Sequence, residues 1–402
     1  MPTVPSTPSG AALSTPADAS TTPATEARLD PRAPGSTSRV TATTPLERPI
    51  RQRVGLYRFG RTALVLGGLV ATLAVTMLVS LVVAGPTGEP IPPGTIAALA
   101  VGWIPFLHMP HVWSDTQATI VLQVRLPRTL TAVLAGAALS AAGTTFQGIF
   151  RNPLADPAVV GVSSGAALGA IVAMLFPLDL AYFGFSLVSL AAFAGALLAV
   201  VAVYALARAG GRLPVTTLLL AGFAVSAALN AVTTLVMSLT AGGRLEGMFV
   251  WLLGGLGNST PDQLAVAAAL VCAGVLPLWA LGRELNALAL GDEGAMHLGL
   301  NPAHIRLLFI ACGALIAAVA VALCGIIGFV GLVVPHMARL LFGPDNRLLL
   351  PAATVLGGIF LTGMDAIARA ASPVTLPIGV ITALIGAPLF LLLLRRRNAY
   401  VF

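Results

Sequence analysis

Long apolar stretches alternate with short polar ones from residue 61 almost to the C-terminus. About 20 apolar residues in a helix cross the roughly 30 Å hydrocarbon core of a bilayer. The pattern predicts about ten transmembrane helices, at approximately 61–84, 126–150, 159–176, 184–207, 215–240, 262–282, 303–326, 329–342, 348–370 and 376–395. The eighth is short and contains Pro335, so we expect a half-span or a re-entrant helix there. Because the stretches lack the period-2 alternation of a β-barrel, the predicted fold class is an all-α polytopic membrane protein.

Composition agrees with this fold class and sets a domain boundary. Only 9% of the residues are charged, against about 25% in soluble domains. Residues 1–48 are rich in Pro, Ser, Thr and Ala, so we expect a disordered cytoplasmic tail, followed by a transmembrane domain over 49–402. The three cysteines have no ligand spacing, and no metal site is predicted.

Arginine placement predicts the orientation of the chain. Arg51, Arg53, Arg58 and Arg61 precede the first span and place the N-terminus in the cytoplasm. Ten crossings then bring the C-terminus to the same side, along with Arg151, Arg208, Arg212, Arg283, Arg306, Arg339, Arg347, Arg395, Arg396 and Arg397. The exceptions, predicted at the outer face, are Arg125, Arg128, Arg244 and Arg369. These flanking clusters suit lipid headgroups rather than nucleic acid.

All 22 basic residues are arginine, and the sequence contains no lysine. A P-loop requires a lysine after its glycine-rich turn, so this chain cannot hydrolyse ATP by that route. A Schiff-base lysine is excluded as well. If ATP drives the protein, the ATPase is on another chain.

The loop 85–124 contains His108 and His111, which could bind iron or haem. Their spacing is weak for a ligand pair, and two exposed histidines are the favoured interpretation. Trp103 and Trp113 in the same loop could anchor at the membrane interface.

Residues 161–165 match the G-x-S-x-G nucleophile elbow of serine hydrolases. That elbow requires a preceding strand, whereas a proline-broken hinge, 151–157, precedes Gly161. Gly161, Gly165 and Gly169 instead recur every four residues, as expected of a face where membrane helices pack closely. Helix packing is therefore favoured over catalysis, and no catalytic residue is predicted.

Asp365 is the clearest ionisable residue within a span. Intramembrane carboxylates often mark proton or ion pathways. Arg369 follows four residues later on the same helical face, so a structural pair is the favoured interpretation.

The segment 285–302 is too short and polar to cross the membrane, yet it has helix-spaced apolar residues. Glycines 291, 294 and 299 should break it into two brief helices, with Asp292 and Glu293 near a helix start. An apolar face made by Leu288, Leu290, Ala295 and Leu298 could lie on lipid or dock in a partner's groove. Its acidic residues disfavour anionic lipid, so a protein partner is favoured.

Several motifs in their order resemble the FecCD-type permease subunits of bacterial ABC importers for iron–siderophore complexes, haem and cobalamin. They are RLPR (125–128), QGIFRNPLADP (147–157), GVSSG (161–165), 291–299, GFVGLVVPHMARLLFG (328–343) and LPIGVITALIGAPLF (376–390). The resemblance covers about residues 60–398. It implies the type II importer permease fold in the inner membrane, a homodimer, two ATP-binding subunits and a periplasmic substrate-binding protein. It also implies that ATP and Mg are bound by the partner ATPase, with no cofactor on this chain.

The resemblance further assigns candidate site residues. Those for docking the binding protein are Arg125, Arg128 and Arg369. Those for coupling to the ATPase are Gly291, Asp292, Glu293, Gly294, Ala295, Leu298 and Gly299. Those lining the translocation path, chosen by their position on the fifth span, are Asn230, Thr233, Thr234, Met237 and Ser238.

The cargo is the least determined part of the hypothesis. The NPLADP and VSSG motifs are closer to haem and siderophore members than to cobalamin ones, which favours haem, with ferric siderophore and cobalamin as alternatives. An ion-coupled secondary transporter and an intramembrane hydrolase are the rival classes.

Overall fold

The computed structural model describes residues 47–83, 91–102, 113–176, 178, 180–182, 184–208, 213–257, 259–371 and 376–395. Side chains are described throughout these ranges except at 47–59, 100–102 and 393–394. The predictions for the tail up to residue 46 and for Trp103, His108, His111, Arg212, Arg396 and Arg397 lie outside the described residues. The chain divides into two units after Val54, and the apolar spans belong to the larger unit, Gly55–Phe402.

The described residues are almost all helical. The helices are α1 (Glu47–Val82), α2 (Pro93–Gly102), α3 (Asp115–Thr119), α4 (Leu126–Phe150), α5 (Val162–Met174), α6 (Leu187–Ala207), α7 (Val215–Ser238), α8 (Arg244–Leu252), α9 (Pro261–Ala280), α10 (Gly282–Ala289), α11 (Asp292–His297), α12 (Pro302–Cys324), α13 (Val330–Phe342), α14 (Asn346–Ala371) and α15 (Ile378–Arg395). A π-helical segment, Ile120–Arg125, joins α3 to α4, and a 3-10 turn, Pro157–Val160, precedes α5. Two short strands, β1 (Ala181–Tyr182) and β2 (Phe185–Ser186), pair antiparallel ahead of α6.

Seven helical stretches in the described part of the chain are long and apolar enough to cross a membrane. They are Gly60–Val82, Asp115–Phe150, Leu187–Ala207, Val215–Ser238, Pro261–Ala280, Pro302–Cys324 and Asn346–Ala371. Three shorter apolar helices, α5, α13 and the first part of α15, complete the set. Each predicted span corresponds to one of these, with ends that agree to within three residues except at the start of Asp115–Phe150, where the predicted span covers only the α4 part, Leu126–Phe150. The predicted all-α polytopic membrane fold is confirmed.

Helix α4 lies at the centre of the bundle, in contact with α9, α10, α12, α13 and α14. Its sequence is rich in Ala, Gly, Ser and Thr, and most of these residues are buried. A Cβ added at Gly136 would collide with the carbonyl of Gly357 on α14, and one at Gly143 with the carbonyl of Gly331 on α13. Small residues bring membrane helices into backbone contact in this way.

The pair α5 and α6 packs by the same device. Gly165 faces the backbone of Gly195, and Gly169 faces that of Ala191, so the predicted small-residue face is confirmed at these two positions. Gly161 differs, because it precedes α5 with a φ of +86° that favours glycine. A 3-10 turn rather than a strand leads into Gly161, which removes the structural context of a nucleophile elbow.

The hinge between α4 and α5 is a capped elbow. Arg151 ends α4 in the left-handed region with a φ of 49°, and the Asn152 side chain accepts a hydrogen bond from the N–H of Leu154 at 3.0 Å. The Asp156 carboxylate accepts from the N–H of Ala158 at 2.8 Å and so caps the 3-10 turn. Burial raises the pKa of Asp156, although the bond from Ala158 opposes that rise.

Helices α12 and α13 are separated by a non-helical break. The break, Gly325–Phe329, contains two residues with positive φ, and the carbonyl of Cys324 accepts from the N–H of Gly255 at 2.8 Å. At 1.5 Å per residue, the 13 residues of α13 extend about 20 Å. Because the hydrocarbon core is roughly 30 Å thick, α13 alone is shorter than the core, as the sequence predicts.

Candidate functional site

Two polar clusters lie at opposite ends of α4. We call them the outer cluster, around Asp365, and the inner cluster, around Arg306, after the orientation that the arginine distribution predicts. The outer cluster joins the end of α1, the start of α4 and the end of α14. The inner cluster joins α11, the start of α12 and the residues before α7.

The first arginine of the outer cluster, Arg125, is the last residue of the π-helical segment Ile120–Arg125. Pro127 has no N–H to donate to the preceding turn, and the N–H of Leu126 reaches back to the carbonyl of Val121 in the wider π pattern. Single π turns often occur at functional sites. Here the turn places Arg125, which is 6% exposed, against the end of α1.

Two arginines cap the C-terminal end of α1. Arg125 Nη1 donates to the carbonyls of Leu81 at 2.7 Å and Val82 at 3.3 Å. Arg369 Nη1 donates to the carbonyl of Val83 at 2.7 Å, and its Nη2 donates to the carbonyl of Ser80 at 2.9 Å. The last carbonyls of a helix lack intrahelical donors and favour cations, so both guanidinium groups stabilise this end.

Asp365 is fully buried and shared by two arginines. Its Oδ1 accepts from Arg128 Nε at 2.9 Å and Nη2 at 2.8 Å, and its Oδ2 accepts from Arg369 Nε at 2.9 Å. The predicted Asp365–Arg369 pair is confirmed, and Arg128 is a partner that the sequence did not indicate. The cluster, including Arg125, therefore has three guanidinium groups for one carboxylate.

The three predicted docking arginines are unequally exposed. Arg125 is buried against α1 and the Arg369 side chain is 9% exposed, whereas the Arg128 side chain is 22% exposed. Docking of a binding protein at these residues stays a prediction. On burial alone, Arg128 is the most accessible of the three.

The predicted coupling residues lie in α11 and the turns that flank it. Gly291 and Gly299 have positive φ values of 99° and 79° and flank the short helix, while Gly294 lies inside it rather than breaking it. The prediction of one apolar face is wrong: Leu288 and Ala295 are buried, whereas Leu290 and Leu298 are exposed. The difference arises because the segment folds back against its own bundle with part of its apolar residues.

The exposed part of this segment includes three large apolar side chains. Leu290 is 70% exposed, Met296 56% and Leu298 61%, and Glu293 and Gly299 are exposed beside them. We call Leu290, Met296 and Leu298 the coupling surface. Met296 was not among the residues predicted from the sequence, although a long apolar side chain in a short polar helix was a signal.

Asp292 holds the coupling segment to the bundle. Arg306 Nη2 donates to Asp292 Oδ1 at 2.6 Å, and Arg306 Nη1 donates to the carbonyl of Leu213 at 2.9 Å. Arg306 is 3% exposed, whereas the Asp292 side chain is 50% exposed. From the sequence, Arg306 was predicted only to lie on the cytoplasmic side, although a charged residue in the first turns of an apolar span was a signal of a buried pair.

The five predicted path residues on α7 divide between two faces. Asn230, Thr234 and Ser238 are spaced four apart and exposed, so they share one helical face. Thr233 and Met237 are buried, and Met237 packs in a cluster with Ile171 and Met248. Of the five predicted residues, only Asn230, Thr234 and Ser238 therefore present polar side chains on the exposed surface of α7.

A groove of about 750 Å³ lies away from both polar clusters, between α5, α6 and α7. Its lining is apolar and includes Gly169, Val172, Leu198 and Leu229. A polar cargo needs polar groups in its site that orient it. This groove lacks them in its described lining, so we interpret it as a surface that faces lipid or is covered by another helix.

Comparisons with known proteins agree with the predicted class. A model described as the FecCD transport family matches residues 72–396. The cobalamin import system permease of Halobacterium salinarum is 45% identical over 284 residues, covering 71% of this chain and 75% of that protein. The hemin transport system permease of Yersinia pestis is 41% identical over 299 residues, covering 72% and 84%. A solved structure described as an inward-facing conformation of a metal-chelate type ABC transporter is 30% identical, with a TM-score of 0.71, and covers 82% of this chain and 98% of that one.

We expect Asp365→Asn to destabilise the protein strongly. The change removes the negative charge that Arg128 and Arg369 share, and breaking a buried ion pair on one side costs roughly 3–5 kcal/mol. The thermal midpoint of the purified protein in detergent measures this effect. Asp262→Asn, at an exposed aspartate in the first turn of α9, is the control and should change the midpoint little. Equal midpoints for the two variants would show that the cluster is not structural.

Proposed function

The chain belongs to the FecCD transport family of type II ABC importer permeases, and on this premise we propose that it forms the membrane path for an imported metal chelate. The favoured cargo is haem, moved from the periplasm to the cytoplasm across the inner membrane. The permease performs no chemistry on the cargo. ATP and Mg are bound by a separate ATPase subunit.

The coupling surface is the observation that carries this proposal. Leu290, Met296 and Leu298 are exposed at the same end of the bundle as Arg151, beyond the apolar part of the spans. An exposed apolar surface on a short helix favours docking in a partner's groove. Since the chain has no lysine for a P-loop, an ATPase subunit is the partner that supplies what this chain lacks.

A homodimer with two ATPase subunits would place two copies of α7 along one path. The exposed face of α7 with Asn230, Thr234 and Ser238 supports α7 as the lining helix. In the lone chain this helix is one of the least buried spans, as expected of a surface that faces a path or a second copy. Closure of the ATPase pair on ATP would then move the permease halves by rigid-body rotation.

Docking of a periplasmic binding protein is proposed at Arg128. Asp365 binds Arg128 through Nε and Nη2, and Nη1 has no hydrogen-bond partner among the described residues, so it is proposed to bind a carboxylate on the binding protein. Arginine suits this double role because its guanidinium carries five donors in a planar fork. Arg125 and Arg369 contribute positive charge to the same end while they cap α1.

The cargo is proposed at the level of large metal chelates, with haem first and ferric siderophore second. Cobalamin is retained because the Halobacterium salinarum relative is named for cobalamin import. A secondary transporter driven by ion flow is less favoured, because the intramembrane carboxylate that such a mechanism needs, Asp365, is saturated by two guanidinium groups.

We expect Leu298→Asp to prevent association with the ATPase subunit. The change places a charge in the centre of the coupling surface, where the proposed groove would have to desolvate it. Co-purification of the permease with its native ATPase partner measures the loss. Leu239→Asp is the control, because it makes the same change at an exposed leucine that follows the C-terminal end of α7. This variant should leave co-purification intact. Unchanged co-purification of the Leu298 variant would refute this docking surface.

We expect Arg128→Gln to weaken capture of the binding protein by roughly ten- to a hundredfold, since a hydrogen bond to a charged group is worth about 1.5–3 kcal/mol. The loss should be larger at low salt, where charges are less screened. Surface-immobilised permease and soluble binding protein provide the affinity. Arg244→Gln changes another exposed arginine of the predicted outer face and is the control. Equal affinities for the two variants would reject Arg128 as the docking residue.

A further inference from the structure

We propose that Arg306 is the positioning residue through which the coupling segment moves α7. This inference rests on the proposed function, because it assigns a route between the ATPase docking surface and the proposed path. It goes beyond the docking itself, since Arg306 is buried and is not part of the coupling surface.

The contacts of Arg306 connect three elements at one side chain. Arg306 lies in the second turn of α12. Its Nη2 donates to the Asp292 carboxylate on α11, and its Nη1 donates to the Leu213 carbonyl ahead of α7 and, at 3.5 Å, to the same carboxylate. The two shorter distances are 2.6 Å and 2.9 Å, and the side chain is 3% exposed. Water therefore has little access to compete with either bond.

The connection from Leu213 to α7 is short and stiff. Leu213 is buried in the main core cluster, and Pro214, with its φ fixed near −65°, is the N-cap residue of α7. The carbonyl of Pro214 already accepts from the N–H of Leu218 at 3.1 Å. A displacement of the Leu213 carbonyl should therefore move the first turn of α7 by a similar amount.

The opposite end of the connection belongs to the exposed segment. Asp292 follows Gly291 and opens the short helix that carries Met296, with Leu290 just before it and Leu298 just after it. Gly291 and Gly299, both at positive φ, flank the helix and could act as pivots for the segment. Because Asp292 forms an ion pair between this segment and a spanning helix, a displacement of the coupling surface is passed to Arg306 through that pair.

The chemistry of the connection favours arginine over lysine. A guanidinium is a planar fork that can hold a carboxylate and a carbonyl at fixed geometry, whereas an ammonium is a point charge on a flexible stem. Arg306→Lys should therefore keep the buried charge near Asp292 and lose the rigid three-way link. Asp292→Asn removes the ion pair while Arg306 keeps its bond to Leu213.

A cysteine reporter on α7 tests the proposal without knowledge of the cargo. The permease is purified with its native ATPase partner after Cys272, Cys312 and Cys324 are changed to serine and Thr234 to cysteine. The rate of labelling by a membrane-impermeant maleimide is measured with and without MgATP. In this parent complex the rate should depend on nucleotide.

In Arg306→Lys and Asp292→Asn, the nucleotide-dependent change in labelling rate should fall about tenfold, as loss of one charge-assisted hydrogen bond would predict. In Arg306→Lys, which changes no residue of the segment proposed to couple to the ATPase, ATP hydrolysis and association with the ATPase should persist. Arg283→Lys, the same substitution at an exposed arginine on the neighbouring α10, is the control and should behave as the parent.

Two results would overturn the role of Arg306. One is an unchanged nucleotide response in both variants. The other is loss of the ATPase subunit from Arg306→Lys, which would show that the ion pair only maintains the shape of the docking segment. A parent complex that lacks an ATPase subunit would instead refute the proposed function.

Discussion

Backbone contact between helices is the constraint on which this structure depends. In lipid there is no hydrophobic force that drives helices together, so packing must come from close approach and polar contacts. Gly136 and Gly357 bring α4 against α14, and Gly143 with Gly331 brings it against α13. The central position of α4 also determines where the two polar clusters lie, because the outer cluster forms where α4 begins and the inner cluster lies beyond its end.

At each end of this bundle, one arginine binds both a backbone carbonyl and a carboxylate. At the outer end Arg369 joins a carbonyl of α1 to the carboxylate of Asp365, and at the inner end Arg306 joins the carbonyl of Leu213 to the carboxylate of Asp292. A guanidinium can satisfy both acceptors at once, which a lysine cannot do with the same geometry. The absence of lysine from the sequence is consistent with this use of arginine at buried ends. The two clusters thus stabilise helix ends and remain next to surfaces that partners could contact.

The spans and the local pairs could be predicted from the sequence, whereas contacts across the chain could not. Hydrophobic length defined all ten apolar helices, and four-residue spacing identified the Asp365–Arg369 pair and the face of Gly165 and Gly169. Arg128 is 237 residues from Asp365 in sequence, so no periodicity reveals that pair. The faces of the coupling segment were also misassigned: Leu288 and Leu290 are two residues apart at the end of α10 and do not share a helical face, and the first is buried whereas the second is exposed. On α7, helical spacing alone could not tell that Thr233 faces inward while Thr234 faces outward.

Uptake by reconstituted proteoliposomes tests most directly the claim that this chain is a path powered by another subunit. The chain alone and the complete complex with its ATPase and binding protein would each be supplied with haem, a ferric siderophore or cobalamin. The account predicts accumulation of one of these chelates only with the complete complex and MgATP. Equally fast accumulation by the chain alone, without nucleotide, would contradict it.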